Sequence, residues 1–317
     1  MKYFFSKFAA IVVSAVALAT VGAAAPTTNV LLSAGRMDEA VTSLTNREDA
    51  ESLNLLSRAY YAMENWDTAV KYGERAVSLD PNNAEFHLWL GREYGRKAQD
   101  SKALAAASNA KKAKSEFERA VQLEPANVPA RLDLAEYYTE APGIMGGGID
   151  KARDQAAQTA KYDPGAAHLI LARIAIKQKQ YSEAEAQFRA AIQQAKNPAD
   201  MWLQLAGFYR QQNRLDDMQA AVHSAMALPG KPAEAYFDAA HLLYVGGRDY
   251  TDAVQYLKNY LSSGALVESA PAFRAHYLIG ALSEKMGQNV AAASEYRSSI
   301  NLASGFAPAK AALDRLQ

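Results

Sequence analysis

Few residues in this chain could do covalent or metal chemistry. It has 317 residues, five histidines and no cysteine. His87, His168, His241 and His276 would be the natural place to seek a metal ligand or a general base. No pair sits at metal-ligand spacing on one helix, and there is no His-Glu-x-x-His. A Gly-x-Ser-x-Gly nucleophile elbow is missing too. The run Ala141-Pro142-Gly143-Ile144-Met145-Gly146-Gly147-Gly148 has the glycines of a phosphate cradle, but that loop needs Gly-Lys-Ser/Thr leading into a helix. Here Ile149-Asp150-Lys151 follow instead, and a helix precedes the run. It reads as a flexible connection or a partner-contact loop. Acidic residues are frequent on polar helix faces, where a solvated surface explains them. The sequence therefore predicts no catalytic residue, no cofactor-binding residue and no metal site, and the chain is read as a non-enzyme.

The elements carrying these residues recur. One stretch gives Leu53, Leu56-Ser57 and Tyr60, then Ala69, Ala76 and Pro81. The next gives His87, Leu90-Gly91 and Tyr94, then, after extra residues, Ala113, Phe117, Ala120 and Pro125. Later copies run Leu134-Ala135, Tyr138, Ala152, Ala156, Pro164, and then Leu171-Ala172, Ala184, Phe188, Ala191. Trp202, Leu205-Ala206 and Tyr209 follow, with Met218, Val222 and Ala225, then Phe237, Tyr244, Ala253, Leu257, and Ile279-Gly280, Ala292, Tyr296. Apolar residues three and four apart make one face of a helix, and small residues let two helices approach closely. Three histidines (87, 168, 276) fall where another copy has Trp202, so packing explains them. Asp80-Pro81, Glu124-Pro125, Asp163-Pro164 and Asn197-Pro198 break helices. Asn65-Trp66, Gln180-Tyr181 and Asp249-Tyr250 mark the turn into second helices.

This pattern resembles the tetratricopeptide repeat, from about residue 28 to the end. Gly91 to Lys97, Ala110-Lys111-Lys112 and the glycine run also resemble a subgroup of exported bacterial tetratricopeptide proteins. The resemblance implies an all-α, right-handed α-solenoid of about seven helical hairpins with a C-terminal capping helix. The solenoid is expected over 28–317, as units 28–46 (partial), 50–83, 84–127, 128–164, 165–198, 199–232, 234–269 and 273–306, with a cap at 307–317. One elongated domain is expected. Residues 98–109 and 141–148 are inserts, the first lengthening its hairpin. In the family the first helices line a concave groove. Carried over, that face holds Asn54, Arg58, Tyr61, Leu88, Arg92, Arg96, Leu132, Glu136, Leu169, Arg173, Lys177, Leu203, Arg210, Asp238 and Leu242. The bases with interleaved leucines suggest a protein or peptide partner that is acidic and partly apolar, and the role of an adaptor or scaffold. An envelope-associated enzyme and a self-assembling structural protein are the alternatives. The family's clamp for a C-terminal carboxylate is not reproduced.

The first residues speak to location. Lys2 and Lys7 precede an uncharged run from Phe8 to Val21, then Gly22-Ala23-Ala24-Ala25-Pro26. A basic start, a short apolar run and small residues make a secretory signal over 1–24. The run is shorter than the roughly 20 residues of a spanning helix, so no integral membrane segment is expected after cleavage. A periplasmic or secreted protein follows. Lysine and arginine number 34 against 34 acids, a balance that does not point to nucleic acid.

Overall fold

The computed structural model describes residues 25–317; the signal segment lies outside the described residues. Seventeen α-helices occur among them, and no strand. They are α1 (Ala25–Ser33), α2 (Met37–Leu44), α3 (Ala50–Ala62), α4 (Trp66–Leu79), α5 (Ala84–Asp100), α6 (Ala103–Leu123), α7 (Val128–Glu140), α8 (Ile149–Thr159) and α9 (Pro164–Lys177). The chain continues through α10 (Tyr181–Gln194), α11 (Pro198–Gln211), α12 (Leu215–Ala227), α13 (Glu234–Gly246), α14 (Tyr250–Ser262), α15 (Ala272–Lys285), α16 (Asn289–Leu302) and α17 (Ala307–Arg315). No described helix is long and apolar enough to cross a membrane.

Local chemistry sets the helix ends. Asp49, Asn83, Asn127 and Asp163 each accept a hydrogen bond from the backbone N–H three residues on, which satisfies an otherwise orphaned donor of the first turn. Pro164 and Pro198 open α9 and α11, where a missing N–H costs nothing. They start the next helix rather than ending the previous one, since α8 and α10 stop several residues earlier. Second helices are entered through a left-handed residue two positions ahead. Glu64, Lys179 and Asn213 do this at φ 64°, 60° and 56°, and Gly35 and Gly287 at 72° and 74°.

The recurring alanines lie where first and second helices meet. Ala40, Ala69, Ala113, Ala152, Ala184, Ala253 and Ala292, with Met218, are all buried. A small residue on the first helix receives an aromatic ring from the second. A Cβ on Gly91 would strike the Phe117 ring, and one on Gly280 the Tyr296 ring. Glycine at those two positions is a packing requirement.

The described residues divide into two compact units. One covers Val70–Leu205; the other joins residues up to 69 with Ala206–Gln317. In the first, Leu90, Tyr94, Phe117, Leu134, Tyr138, Ile170 and Ile174 build the core. The second exists because the two ends of the chain pack together. Phe273 and Phe306 meet edge to face at 5.0 Å. The Arg274 guanidinium donates to the Ala62 carbonyl at 2.8 Å and to Glu64 at 3.0 Å. Asp38 accepts from the Ser304 backbone N–H at 2.9 Å. Gly35 lies against the start of α15, where any Cβ would run into the Ala272 backbone nitrogen. Repeat periodicity describes contacts between neighbours only, so it could not announce this one.

Candidate functional site

The residues assigned to a first-helix groove divide by burial. Asn54, Leu88, Arg92, Glu136, Leu169 and Leu203 are buried, whereas Arg58, Tyr61, Arg96, Leu132, Arg173, Lys177, Arg210, Asp238 and Leu242 keep some exposure.

In the first unit the basic side chains face carboxylates of α7. Arg92 Nε donates to Asp133 at 2.6 Å, Arg173 to Glu136 at 3.0 Å, and Lys177 to Glu140 at 2.9 Å. The acids that meet Arg92, Arg173 and Lys177 stand on a different helix, about 40 residues away, and these residues form a ladder of alternating charge. Burial pushes the Glu136 carboxyl up, to about 8, against the downward pull of Arg173. Trp89, for which the sequence offered no role, carries the Arg92 guanidinium on its face at 5.2 Å. One nitrogen of that guanidinium is buried without a hydrogen-bond partner.

In the second unit Arg58 grips Glu268 with a bidentate contact, one arm of which measures 2.9 Å. The chain's own segment before α15 therefore covers part of the α3 face. One turn back, Asn54 is buried with neither amide atom hydrogen-bonded.

Histidines expected to be structural have repeat-wide partners. His87 Nδ1 faces Glu116 at 2.5 Å, His168 faces Gln187 at 2.7 Å, and His276 faces Glu295 at 2.7 Å. Each joins a first helix to its own second helix. Tyrosines link in the other direction: Tyr94 donates to Glu74, and Tyr138 to Glu118 at 2.7 Å. One cluster escaped the sequence. His223 Nε2 lies 3.4 Å from Asp249 and 3.9 Å from Asp252, three exposed groups whose ligand atoms lie within 4.8 Å of one another. The partners are 26 and 29 residues apart, beyond any single-helix spacing. An exposed ion pair accounts for them, and Asp249 already accepts from Gln219.

A cleft of about 750 Å³ opens at the α9–α10 turn, lined by Arg153, Leu171, Ile174, Gln178, Tyr181 and Glu183 among others. Lys179 and Ser182 also line it, and no histidine does.

Stacked helical hairpins with small residues at their seams define an all-α helical-repeat protein. Tetratricopeptide-repeat family models match residues 50–83, 146–200 and 171–217. Over those residues the chain carries tetratricopeptide repeats, and such repeats form scaffolds for protein–protein contact. Among solved structures it is similar to a thermophilic tetratricopeptide-repeat protein of Thermus thermophilus, at 21% identity and TM-score 0.48, over 58% of this chain and 96% of that one. A tetratricopeptide-repeat protein from Parabacteroides merdae is similar at 16% identity and TM-score 0.42, over 84% and 98%. No curated protein matches the chain.

Proposed function

We propose that this chain is an exported, non-enzymatic adaptor that holds a protein partner along its first helices. The charge ladder of α5, α7 and α9 is the observation that carries the reading. The Arg92–Asp133 and Arg173–Glu136 pairs are largely buried; such pairs cost desolvation and add little stability of their own, so a role in fixing the presented face explains them better than a role in holding the fold. The ladder also alters the expected partner. Arg92, Arg173 and Lys177 are matched by Asp133, Glu136 and Glu140, so this face is not a free basic stripe. A partner of mixed charge suits it, read by Arg96 and Leu132 in the first unit and separately by Tyr61, Arg210, Asp238 and Leu242 in the second.

Export rests on Lys2, Lys7 and the run from Phe8 to Val21. Mass spectrometry of protein from its own cells should find an N-terminus at Ala24 or Ala25; an intact Met1 would remove export from the reading. Capture from an envelope extract, with mass by light scattering, should recover one protein in fixed ratio. Arg96→Glu with Arg210→Glu should release it without changing helicity. A chain that scatters as a monomer and retains nothing would end the adaptor reading.

A further inference from the structure

The two inserts occupy the same place in successive hairpins, between first and second helix. In the first, α5 and α6 run 17 and 21 residues, against 13 for α7 and 14 for α9. At 1.5 Å per residue α6 overshoots its neighbours by roughly 10 Å. Its buried residues are Ala113, Phe117 and Ala120, and of the ten residues before Ala113 Ala110 alone packs against the core cluster. They pair with α5 through Asn109 and Ser101 and through Lys112 on the Tyr94 ring. At the tip, in the first turn of α6, Leu104 is 88% exposed.

The second insert is a built loop, where the sequence suggested a flexible one. The Tyr137 hydroxyl donates to the Met145 carbonyl at 2.8 Å, the Gly148 N–H to the Tyr138 carbonyl at 2.8 Å, and Lys151 to the Gly146 carbonyl at 3.0 Å. Gly146 sits at φ 87°, and a Cβ on Gly147 would overlap the Ala141 carbonyl. This fixed backbone holds Ile144 out at 92% exposure. Gly146 lies beside Lys114 of α6, so both inserts share one edge of the unit. The charge there is mostly basic although the chain balances. Residues 96–114 carry Arg96, Lys97, Lys102, Lys111, Lys112 and Lys114 against Asp100, and Glu74 and Glu118 face Lys112 and Lys114 at 3.4 and 3.6 Å, which leaves an excess of positive charge.

We propose that this edge docks on an anionic lipid bilayer. Leu104 and Ile144 both stand out in solvent. A soft interface can take up such side chains, whereas a protein surface would need a matched cavity for each. Lysines around them suit lipid phosphates, whose attraction falls within a Debye length. Anchoring at this edge leaves the first helices free for a protein partner.

The test is co-sedimentation of the full chain with vesicles of phosphatidylcholine, with and without about 30% phosphatidylglycerol. Binding should be at least about tenfold stronger with the anionic lipid and fall about tenfold between 0.1 and 0.5 M salt. Any contribution of Lys2, Lys7 and the apolar run near the N-terminus is the same in the parent and in every variant, so the variants isolate the edge. Lys102→Glu with Lys111→Glu should lose at least about tenfold. Leu104→Asp with Ile144→Asp should lose a comparable factor, with unchanged helicity because these side chains are in solvent. Val290→Asp, equally exposed at 88% on α16, should change nothing. Equal binding to both vesicles, or edge variants that bind like the parent, would overturn the proposal. If the parent ignores vesicles while the same variants abolish capture of an acidic protein, the edge is a protein surface and the lipid assignment is wrong.

Discussion

Replacing Gly35 by alanine tests the closure between the ends of the chain. Gly35 has φ 72°, and its Cβ would meet the backbone nitrogen of Ala272. An L-residue in the left-handed region costs about 1–2 kcal/mol. Relieving the overlap means moving the α1–α2 turn away from the start of α15, beside buried Leu32, Met37 and Phe273. Overpacking of that kind costs a further ~1–3 kcal/mol, for a total of about 2–5 kcal/mol by the same principles. Gly287→Ala is the control: φ is 74°, but nothing lies within 4 Å of the added Cβ, so it should cost about 1–2 kcal/mol. Repeat proteins can open locally, so urea unfolding followed by circular dichroism should be joined to amide exchange. Gly35→Ala should speed exchange at 270–275 and 303–306, and Gly287→Ala should leave those amides slow. Equal losses in the two variants, with equal exchange, would refute the closure as described.

Three further outcomes follow from the same contacts. Ala184→Leu or Ala253→Leu, at positions with no solvent exposure, should each cost about 1–3 kcal/mol in urea unfolding; a negligible loss at both would put the helix register off by one residue. Arg92→Glu or Arg173→Glu should cost about 3–5 kcal/mol by leaving a carboxylate buried beside another, while Arg96→Glu changes stability little, all read by thermal melting; equal melting of the three would mean the ladder is not formed in solution. Burial pulls the His87 imidazole down, but Glu116 and the Pro81 carbonyl outweigh it and the pKa is raised. Its contribution is then complete below about pH 6.5, the unfolded value, and is lost as pH rises through the folded one. Melting temperature should fall from pH 6 toward pH 8, less steeply in His87→Gln, and parallel curves would contradict the raised pKa.

The recurring residues, and the tetratricopeptide pattern they resemble, pointed to paired helices with small residues at their seams. Alanine recurs because a second helix lies against the first at that point, a contact between near neighbours that repeats with the sequence. Asn65-Trp66, Gln180-Tyr181 and Asp249-Tyr250 marked the starts of α4, α10 and α14 for the same local reason. The shared site of His87, His168 and His276 likewise made their packing role legible, although not the second-helix partners they bind. The tertiary structure decided whatever depends on residues far apart in sequence. Arg92 and Arg173 looked like free bases until Asp133 and Glu136 were brought opposite them, because charge pairing follows distance in space and not spacing along one helix. The glycine run looked flexible because loss of Cβ permits freedom; the Tyr137 hydroxyl and the Ala141 carbonyl instead use that small size to hold one backbone path. The meeting of Gly35 with Ala272 and of Arg58 with Glu268 joins positions more than 200 residues apart, and no repeat period encodes such a contact.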